Sequence, residues 1–393
     1  MWIPRTLSSE LQGLLDQFPV LVVVGPRQVG KTSVLRETFG ERNYVGLDLP
    51  GHAELAETRP KDFLDRFPPP ATYDEVQYAP SLFRYIKGAV DQRHGENGLF
   101  VLSGSQNYLL MQTVSESLAG RAAVVPFLGL SGAEWQGIRG EATWPEFLWR
   151  GSYPALWANP ENPIPRDRWY QGYVATYLER DVRHLLKVIN LRDFERFIRA
   201  CAARTAQTLN MSDLARDVGI APSTAREWIS VLQTSGQILL LEPYYRSLGK
   251  RLVKSPKLYF SDTGLAAFLM GFGSVDALWQ SAQVGALFEN YVVSQWLRWR
   301  DWQEPSASLW YWRNAAGSEV DLVIERNGKL FAIECKVTQN PTKRDLRGPR
   351  SLSDFYGEDM IGRKFLACTT SVPFDVNQVT AMPGWTTWDL DLK

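Results

Sequence analysis

The most specific chemical pattern in the chain is a glycine-rich loop near the amino terminus. It fits G-x-x-x-x-G-K-[ST] at each fixed position, and with the next residue it consists of Gly25, Pro26, Arg27, Gln28, Val29, Gly30, Lys31, Thr32 and Ser33. Backbone N–H groups of such a loop point inward and surround the phosphates of a nucleotide. Lys31 would add a positive charge at the β- and γ-phosphates, and Thr32 would offer a hydroxyl to a magnesium ion. The sequence therefore predicts a site for ATP and Mg²⁺.

An acidic pair follows a short segment further along the chain. Asp74 and Glu75 come after residues 71–73, which we predict to be a strand. We expect Asp74 to hold a magnesium-bound water and Glu75 to act as the general base that activates the attacking water. The alternative is an exposed acidic pair on a loop, since the segment is less apolar than usual and follows a run of prolines.

Two further positions are candidates for contact with the γ-phosphate. A predicted strand at residues 99–102 leads to Ser105 and Gln106, which would lie at the carboxyl edge where parallel sheets bind ligands. The alternative is a turn that merely ends the strand. Arg121 is a candidate arginine finger, acting in its own chain or in a neighbouring copy, which would make the protein a homo-oligomer. The alternative for Arg121 is an arginine on a solvated surface.

A second chemical pattern lies near the carboxyl terminus. Predicted strands at residues 318–325 and 329–337 are joined by an Asn-Gly dipeptide, the favoured two-residue hairpin turn. The first strand carries Asp321 and the second carries Glu334 and Lys336, an arrangement typical of PD-(D/E)xK nucleases. We expect the two carboxylates to bind Mg²⁺ through hard oxygen ligands. Lys336 would orient the attacking water or stabilise the charged phosphate.

Glu289, on a predicted helix that starts at residue 284, could complete this metal site. Exposed Glu and Lys residues on strands are common, so the alternative is a solvated hairpin. The apolar residues 331–333 beside Glu334 argue against that alternative, because a buried charge without a partner is costly.

The middle of the chain predicts a helix, a turn, a second helix and a strand within residues 210–247. Ser212 or Asp213 would cap the first helix. The second helix has Ser223 and Thr224 at its start, where a recognition helix touches DNA, and Arg226 is its only basic residue. A basic wing would follow, with Arg246, Lys250, Arg251 and Lys254. We expect DNA contact through phosphates without sequence specificity; the alternative is packing against the ATPase or other subunits.

The predicted strands and helices that would position these residues indicate the fold class. Short apolar runs alternate with helical patterns in the first third, which predicts a parallel sheet with crossover helices. The predicted strands there are residues 20–24, 43–49, 71–74 and 99–103, with a helix at 31–38. These patterns therefore predict an α/β fold class, a P-loop NTPase with a parallel sheet, followed by a winged-helix domain and a PD-(D/E)xK nuclease-like α/β domain. We place these domains at residues 1–160, 161–265 and 266–393.

Composition limits the class of protein. The 393 residues include 43 Lys+Arg and 43 Asp+Glu, so the whole-chain basic excess typical of a dedicated nucleic-acid binder is absent. Cys201, Cys335 and Cys368 are scattered, which argues against a disulfide framework or a zinc site. We find neither an apolar signal segment nor a stretch long enough to span a membrane, and we expect a cytoplasmic protein without a membrane partner.

Several motifs together resemble a known family, the prokaryotic AAA+-type ATPases whose core is followed by a domain of unknown function numbered 4143. Besides the glycine-rich loop, the matching segments are residues 73–77, 102–105, 117–121, 177–182, 260–265, 288–290 and 319–321. The resemblance spans nearly the whole chain and implies an ATPase domain with an AAA+/RecA-like sheet, a winged helix and a C-terminal fold similar to PD-(D/E)xK nucleases. The chain departs from the pattern in the weak strand before Asp74.

Two functional hypotheses follow. The first is an ATP-binding and ATP-hydrolysing AAA+-type ATPase coupled to a DNA-acting, magnesium-dependent nuclease-like domain. The alternative is a nucleotide-switched regulatory or partner-binding protein whose nuclease-like domain does not cleave. The neutral net charge and the single arginine of the recognition helix favour the alternative.

Overall fold

The computed structural model describes residues 2–105, 114–178, 191–245 and 255–385. Gln106, residues 179–182 of the family motif and the wing residues Arg246, Lys250, Arg251 and Lys254 lie outside the described residues. The chain forms two compact units. The first comprises Met1–Leu130 with the short segments Tyr153–Ala158 and Thr234–Gly236, and the second comprises the remainder.

The first unit is built on a five-stranded sheet in which each strand runs parallel to its neighbours. Its strands are β1 (Val20–Gly25), β2 (Asn43–Gly46), β3 (Ala71–Asp74), β4 (Phe100–Ser105) and β5 (Ala122–Pro126), in the order β2-β3-β4-β1-β5. The predicted parallel α/β sheet is confirmed. All six residues of β1 are buried, as expected for an apolar strand covered on both faces.

Helices of the first unit precede and connect these strands. They are Ser8–Gln17, Lys31–Phe39, Pro50–Thr58, Pro60–Arg66 and Leu82–Asp91. The second strand ends at Gly46, three residues before the predicted end, and Pro50 starts the next helix at a position where its missing N–H costs nothing. The short β3 is buried at all four positions, although its sequence is weakly apolar.

The second unit contains a small antiparallel sheet and a larger mixed sheet. The small sheet has the order β6-β8-β7, with β6 (Gln207–Thr208), β7 (Ile238–Leu241) and β8 (Lys257–Phe260). The helices before and between these strands include Leu191–Ala202, Met211–Val218 and Pro222–Thr234. The side chain of Asn210 caps the Met211–Val218 helix by accepting from the N–H groups of residues 212 and 213. The cap predicted at Ser212 or Asp213 was therefore wrong by two or three positions.

The larger sheet has six strands in the order β13-β14-β12-β11-β10-β9. They are β9 (Ser308–Arg313), β10 (Glu319–Arg326), β11 (Lys329–Cys335), β12 (Ile361–Cys368), β13 (Phe374–Val376) and β14 (Val379–Pro383). The Asn327-Gly328 turn between β10 and β11 has positive φ at both residues, 50° and 74°, as the predicted hairpin requires. Other helices of this unit include Gly132–Gln136, Trp144–Arg150, Arg166–Tyr173, Thr263–Leu269, Val275–Trp279, Val284–Gln303 and Arg347–Tyr356.

Candidate functional sites

The glycine-rich loop joins the end of β1 to the start of the Lys31–Phe39 helix, which is the strand–loop–helix context that phosphate binding needs. Gly30 has φ of 96° and Gln28 has φ of 66°, so the loop turns through left-handed backbone at two positions. A Cβ atom on Gly25 would lie 1.9 Å from the carbonyl oxygen of Phe127, so a larger residue does not fit there. The remaining loop residues are Pro26 and Val29, which are buried, and Arg27, Thr32 and Ser33, which are partly or fully exposed.

The ammonium group of Lys31 lies inside this loop and is only 5 % exposed. It donates hydrogen bonds to the carbonyl oxygens of Gly25, at 2.9 Å, and Pro26, at 2.8 Å. A cation held by loop carbonyls is already desolvated and close to the backbone that would surround the phosphates. It is therefore placed to exchange these neutral acceptors for charged phosphate oxygens, which bind an ammonium more strongly.

Asp74 lies at the end of β3 and is 4 % exposed, so the structure does not place it on a solvated loop. Its Oδ2 atom accepts hydrogen bonds from Thr32 Oγ1, at 2.6 Å, and from the Tyr44 hydroxyl, at 2.5 Å. Its Oδ1 atom accepts from the hydroxyl of Ser103. The two residues predicted to hold magnesium are thus in direct contact. Burial and the hydrogen bond to Asp74 raise the pKa of Tyr44, which stays a neutral donor.

Glu75 follows in left-handed backbone, with φ of 60° and ψ of 45°. Such a conformation is costly for a residue with a side chain and is concentrated at functional sites. The backbone N–H of Glu75 points to the Ser103 hydroxyl, at 3.4 Å, and its carboxylate accepts a hydrogen bond from the amide of Gln77. The Glu75 carboxylate is therefore held by Gln77, two residues further along the turn.

Ser105 pairs with Gly25 in the register of β4 and β1, so it lies beside the first residue of the loop. It is 6 % exposed, and its hydroxyl has no hydrogen-bond partner in the part of the chain that the structure describes. A buried hydroxyl without a partner costs free energy unless a ligand or water satisfies it. Its position fits the predicted contact with a phosphate.

Arg121 lies at the opposite edge of the same sheet. The N–H of Val20 donates to the Arg121 carbonyl, which places Arg121 at the amino end of β1. Its guanidinium donates to Asp91 at 2.6 Å and to the Ala119 carbonyl at 3.1 Å. The loop begins about 16 Å away, at the other end of the strand. The role of Arg121 as an arginine finger, in its own chain or toward a neighbouring copy, therefore stays a prediction.

Arg5 is a residue of this site that sequence reasoning missed. It is 6 % exposed and donates to the carbonyl oxygens of Val29 in the loop, at 2.9 Å, and of Leu128 and Gly129, at 2.8 and 3.1 Å. Its guanidinium also lies 4.2 Å from the ring centroid of Phe127. Arg5 thereby ties the loop to the segment after β5. It stands 20 positions before the first glycine of the motif, and no local pattern marks it.

The C-terminal pattern is partly assembled as predicted. Asp321 on β10 and Glu334 on β11 are 6 % and 8 % exposed, and neither is solvated. Asp321 Oδ2 accepts from the backbone N–H of Cys335, at 2.9 Å, which fastens the carboxylate to the neighbouring strand. Lys336 donates to Glu334 Oε1 at 2.8 Å, while Glu334 Oε2 is buried without a partner among the described residues. The structure therefore brings Asp321, Glu334 and Lys336 together.

A buried lysine that sequence reasoning missed lies beside these carboxylates. Lys257 on β8 is 2 % exposed, and its ammonium lies 2.8 Å from Glu289, 2.5 Å from Glu319 and 3.4 Å from Asp321. The hydroxyl of Tyr259 also donates to Glu289 Oε1, at 2.7 Å. Glu289 is thus engaged by two donors of β8. We call the four residues Lys257, Glu289, Glu319 and Asp321 the lysine–carboxylate cluster.

This arrangement corrects the predicted metal site. In the four described ranges of the chain, no group of three or more His, Cys, Asp or Glu side chains is placed to hold a metal ion. The magnesium site predicted from Glu289, Asp321 and Glu334 is therefore not assembled as a set of three ligands. The physical reason is that ammonium groups already pair with these carboxylates: Lys257 with Glu289 and Asp321, and Lys336 with Glu334.

Burial and the crowding of acids shift the pKa values of Glu289 and Lys257 in this cluster, and that of Glu334. Burial raises the pKa of Glu334 well above its usual range, and the charge of Asp321 raises it further. Burial, followed by the same Asp321 charge, raises the pKa of Glu289 to about 7. Burial works to lower the pKa of Lys257, but the surrounding oxygens outweigh it and the pKa lies well above the ordinary value. The Lys257 ammonium thus stays charged, whereas Glu289 and Glu334 are held toward their neutral forms.

The helix–turn–helix segment presents a modest polar surface. Arg226 and Glu227 are exposed near the start of the Pro222–Thr234 helix, with Ser223 exposed and Thr224 half-buried. Arg226 lines an open groove of about 750 Å³. The other residues that line it are Thr208, Leu209, Asn210, Met211 and Ser255.

Two motif residues of the second unit have structural contacts instead of chemical ones. Asp262 caps the Thr263–Leu269 helix and accepts four hydrogen bonds, from the N–H and hydroxyl of Ser152, the Tyr170 hydroxyl and the Leu265 N–H. Asn290 is fully buried and hydrogen bonds both the N–H and the carbonyl of Phe260, each at 2.7 Å. Both residues therefore hold β8 and the segment after it in place.

Three family descriptions match consecutive parts of the chain. An AAA domain matches residues 17–136, a domain of unknown function named DUF8612 matches residues 141–276, and a domain of unknown function named DUF4143 matches residues 284–386. The amino-terminal part is therefore an AAA ATPase domain with a nucleotide-binding P-loop. The predicted succession of this domain and a DUF4143 domain is confirmed.

Curated relatives cover most of the chain. "Uncharacterized protein Rv2008c" of Mycobacterium tuberculosis and "Uncharacterized protein Mb2031c" of Mycobacterium bovis are each 31 % identical over 346 residues, which are 86 % of this chain and 75 % of theirs.

Solved structures are more distant. The Walker-type ATPase PABY2304 of Pyrococcus abyssi has a TM-score of 0.47 at 16 % identity, covering 68 % of this chain and 96 % of its own. A DNA replication initiation factor has a TM-score of 0.26 at 14 % identity, covering 55 % of this chain and 81 % of its own.

In the part of the chain that the structure describes, no helix combines the length and the apolar character needed to cross a membrane.

Proposed function

We propose that this chain, which belongs to the same protein family as Rv2008c and Mb2031c, is a magnesium-dependent ATPase whose nucleotide state controls a DNA-contacting second unit. The observation that carries the ATPase proposal is the 2.6 Å hydrogen bond between Thr32 Oγ1 and Asp74 Oδ2. It joins the end of the P-loop to the carboxylate of β3, so the two oxygens that a magnesium ion needs are already adjacent.

The residues around that contact have distinct roles in the proposed hydrolysis. Thr32 and Asp74 would hold Mg²⁺, which when bound neutralises charge on the β- and γ-phosphates. Lys31 would leave the loop carbonyls for the phosphate oxygens. Glu75 would accept a proton from the attacking water, and Ser105 would donate its hydroxyl to the γ-phosphate.

A test compares ATP binding and turnover of wild type, Lys31→Ala and Glu75→Gln. We expect Lys31→Ala to lose nucleotide affinity, and Glu75→Gln to keep affinity but lose turnover by about 10²- to 10⁴-fold. Lys61→Ala removes an exposed lysine of the same unit and is the matched control. If Lys31→Ala binds and hydrolyses ATP as wild type does, the ATPase proposal is wrong.

The second unit is proposed to contain a winged helix that contacts DNA without reading its sequence. The support is the order of its elements, two helices followed by the β7 and β8 hairpin, and the exposed Arg226 in its groove. A single arginine supplies little base discrimination, whereas phosphate contacts depend on charge alone. We expect weak DNA binding that falls with rising salt and is equal for unrelated sequences. Strong preference for one sequence would contradict this role.

The C-terminal sheet is proposed to have a PD-(D/E)xK nuclease-like fold that does not cleave. The hairpin that carries Asp321, Glu334 and Lys336 supports the fold, and the Lys257 ammonium among the carboxylates favours the non-cleaving alternative. We expect linear, circular and single-stranded DNA to stay intact with the protein, ATP and Mg²⁺ or Mn²⁺. Cleavage that is lost in Asp321→Ala would restore the nuclease hypothesis.

A homo-oligomer is the remaining proposal, since Arg121 reaches a γ-phosphate only if that phosphate is bound by a neighbouring copy. Its support is the placement of Arg121 at the sheet edge opposite the P-loop. Mixing Lys31→Ala and Arg121→Ala chains tests it, because only an assembly can combine one intact loop with one intact arginine. Turnover in the mixture equal to the sum of the separate variants would exclude this role.

A further inference from the structure

We propose that Lys257 is the resident cation of the C-terminal carboxylate site and that it excludes divalent metal ions from that site. The inference rests on the nuclease-like fold proposed above, for which a metal ion is implied and does not fit. The consequence is that the lysine–carboxylate cluster is metal-free in the wild-type protein, and that removal of the Lys257 ammonium creates a divalent cation site.

The first argument is geometric. An ammonium group has three N–H donors, and Lys257 Nζ faces three carboxylate oxygens, of Glu289, Glu319 and Asp321, at 2.8, 2.5 and 3.4 Å. A magnesium or calcium ion would need oxygens from the same side chains at about 2.0–2.6 Å. The ammonium and the ion would therefore compete for the same oxygens and the same space.

The second argument is that the second oxygen of Asp321 and both oxygens of Glu334 are also engaged or closely approached by the chain. Asp321 Oδ2 accepts the Cys335 N–H at 2.9 Å, and Glu334 Oε1 accepts from Lys336 at 2.8 Å. Glu334 Oε2 has no partner among the described residues, but a Cβ atom on Gly348 would lie 2.7 Å from it, so backbone approaches it closely. Binding a metal ion at Asp321 would require breaking one of these contacts.

The third argument concerns how the lysine is held. Lys257 is 2 % exposed, and β8 positions it between β6 and β7, with Asn290 bonded to the backbone of Phe260 three residues further on. Its ammonium lies 5.6 Å from the ring centroid of Tyr311, a second favourable contact for a cation. The strand, three acids and an aromatic ring therefore hold the Lys257 ammonium at this position.

The energetic reason for a lysine is the number of buried acids. Buried carboxylates without a compensating charge are costly, and either a metal ion or an ammonium lowers that cost. One ammonium that faces three of these acids therefore lowers the cost that a metal ion would otherwise offset.

The test measures Mn²⁺ binding to nucleotide-free protein by the loss of the free-ion electron paramagnetic resonance signal. We expect no difference between wild type and Asp321→Asn. We expect Lys257→Met to gain about one Mn²⁺ per chain, and Lys257→Met/Asp321→Asn to lose it again. Lys364→Met is the matched control, because Lys364 is a buried lysine on β12, in the sheet that carries Asp321, and it pairs with the exposed Glu358.

A second readout is thermal unfolding of the same proteins. Mn²⁺ at a hundredfold excess over its Kd should raise the Tm of Lys257→Met by about 5 °C and leave the wild-type Tm unchanged. A wild-type Mn²⁺ site that disappears in Asp321→Asn overturns the inference, and so does a folded Lys257→Met that binds no more Mn²⁺ than wild type. If Lys257→Met does not fold, the wild-type and Asp321→Asn comparison decides alone. Because nucleotide is absent, failure of ATP turnover would leave these results unaffected.

Discussion

Replacing Arg5 with methionine should damage the nucleotide site from a position outside the P-loop motif. The guanidinium is 6 % exposed and donates to three carbonyl oxygens, at 2.9, 2.8 and 3.1 Å. Hydrogen bonds from a charged donor contribute about 1.5–3 kcal/mol each, and methionine would leave the three buried carbonyls without this donor. Partial replacement by water reduces the sum, so we expect the first unit to lose about 3–5 kcal/mol of unfolding free energy.

The effect on nucleotide binding follows from the bond to Val29. The bond from Arg5 to Val29 holds the backbone of the loop whose N–H groups must converge on the phosphates. Without this bond the loop has to be ordered when ATP binds, and the free energy of that ordering weakens binding. We expect the ATP Kd to rise about tenfold, which corresponds to about 1.4 kcal/mol. Calorimetric titration with ATP measures the Kd, and urea unfolding followed by tryptophan fluorescence measures the stability.

Arg59→Met is the matched control for Arg5→Met. Arg59 belongs to the same unit, but its side chain is 69 % exposed and its ion pair with Asp62 spans 3.6 Å. Surface pairs of this kind contribute little to stability, so we expect neither the Kd nor the unfolding midpoint to change measurably. If Arg5→Met retains the wild-type Kd and midpoint, then Arg5 does not position the loop and the reasoning from its hydrogen bonds is refuted.

Three further predictions concern single carboxylates. Asp74→Asn keeps the shape of the residue that contacts Thr32 but removes its charge, so ATP turnover should fall at least about 100-fold with the Tm nearly unchanged; normal turnover would contradict a metal role. Asp262→Ala removes the acceptor of four hydrogen bonds and should cost about 3–5 kcal/mol in denaturant unfolding, and a loss below about 1 kcal/mol would disprove its structural importance. Burial and the Asp321 charge raise the pKa of Glu289 to about 7, from its ordinary value of 4.5, so the native state binds more protons than the unfolded state between these values. Stability should therefore decrease as pH rises from 4.5 to 7, and Glu289→Gln should flatten this slope; an equal slope in both proteins would exclude Glu289 as its source.

The nucleotide site could be predicted from the sequence because most of its chemistry is local. The loop from Gly25 to Thr32 is contiguous, and its backbone acts mainly through its own N–H groups. The acidic pair at Asp74 was harder, since β3 is only four residues long and weakly apolar. Its strand is buried because neighbouring strands β2 and β4 cover its edges, and such tertiary context cannot be derived from the propensities of four residues.

Arg5 and Arg121 show what reasoning from local motifs cannot decide: Arg5 contacts the loop and was missed, whereas Arg121 was proposed to act at the nucleotide and lies at the other end of β1. Both are arginines outside the glycine-rich motif, and their residue type carries no information about which end of the sheet they occupy. Pairing of β5 with β1 places Arg121 at the amino end, whereas Arg5 reaches the loop at the carboxyl end. The position of Arg121 depends on the register of β5 against β1, and the contact of Arg5 depends on a pairing of residues 24 positions apart. A local sequence pattern contains neither.

The C-terminal site shows why a motif of acids does not establish a metal site. Asp321, Glu334 and Lys336 come from one hairpin, so their spacing could be predicted from strand alternation and a two-residue turn. Lys257 comes from a different sheet, 64 positions before Asp321. It is the first residue of β8, and a lysine at the start of a strand is ordinary in sequence. Yet one ammonium within 3.4 Å of three carboxylates reverses the expectation, because it satisfies the charge that would otherwise attract a metal ion. The cation that completes an acidic cluster therefore has to be identified before the cluster is assigned a chemistry, and in this protein that cation is part of the chain.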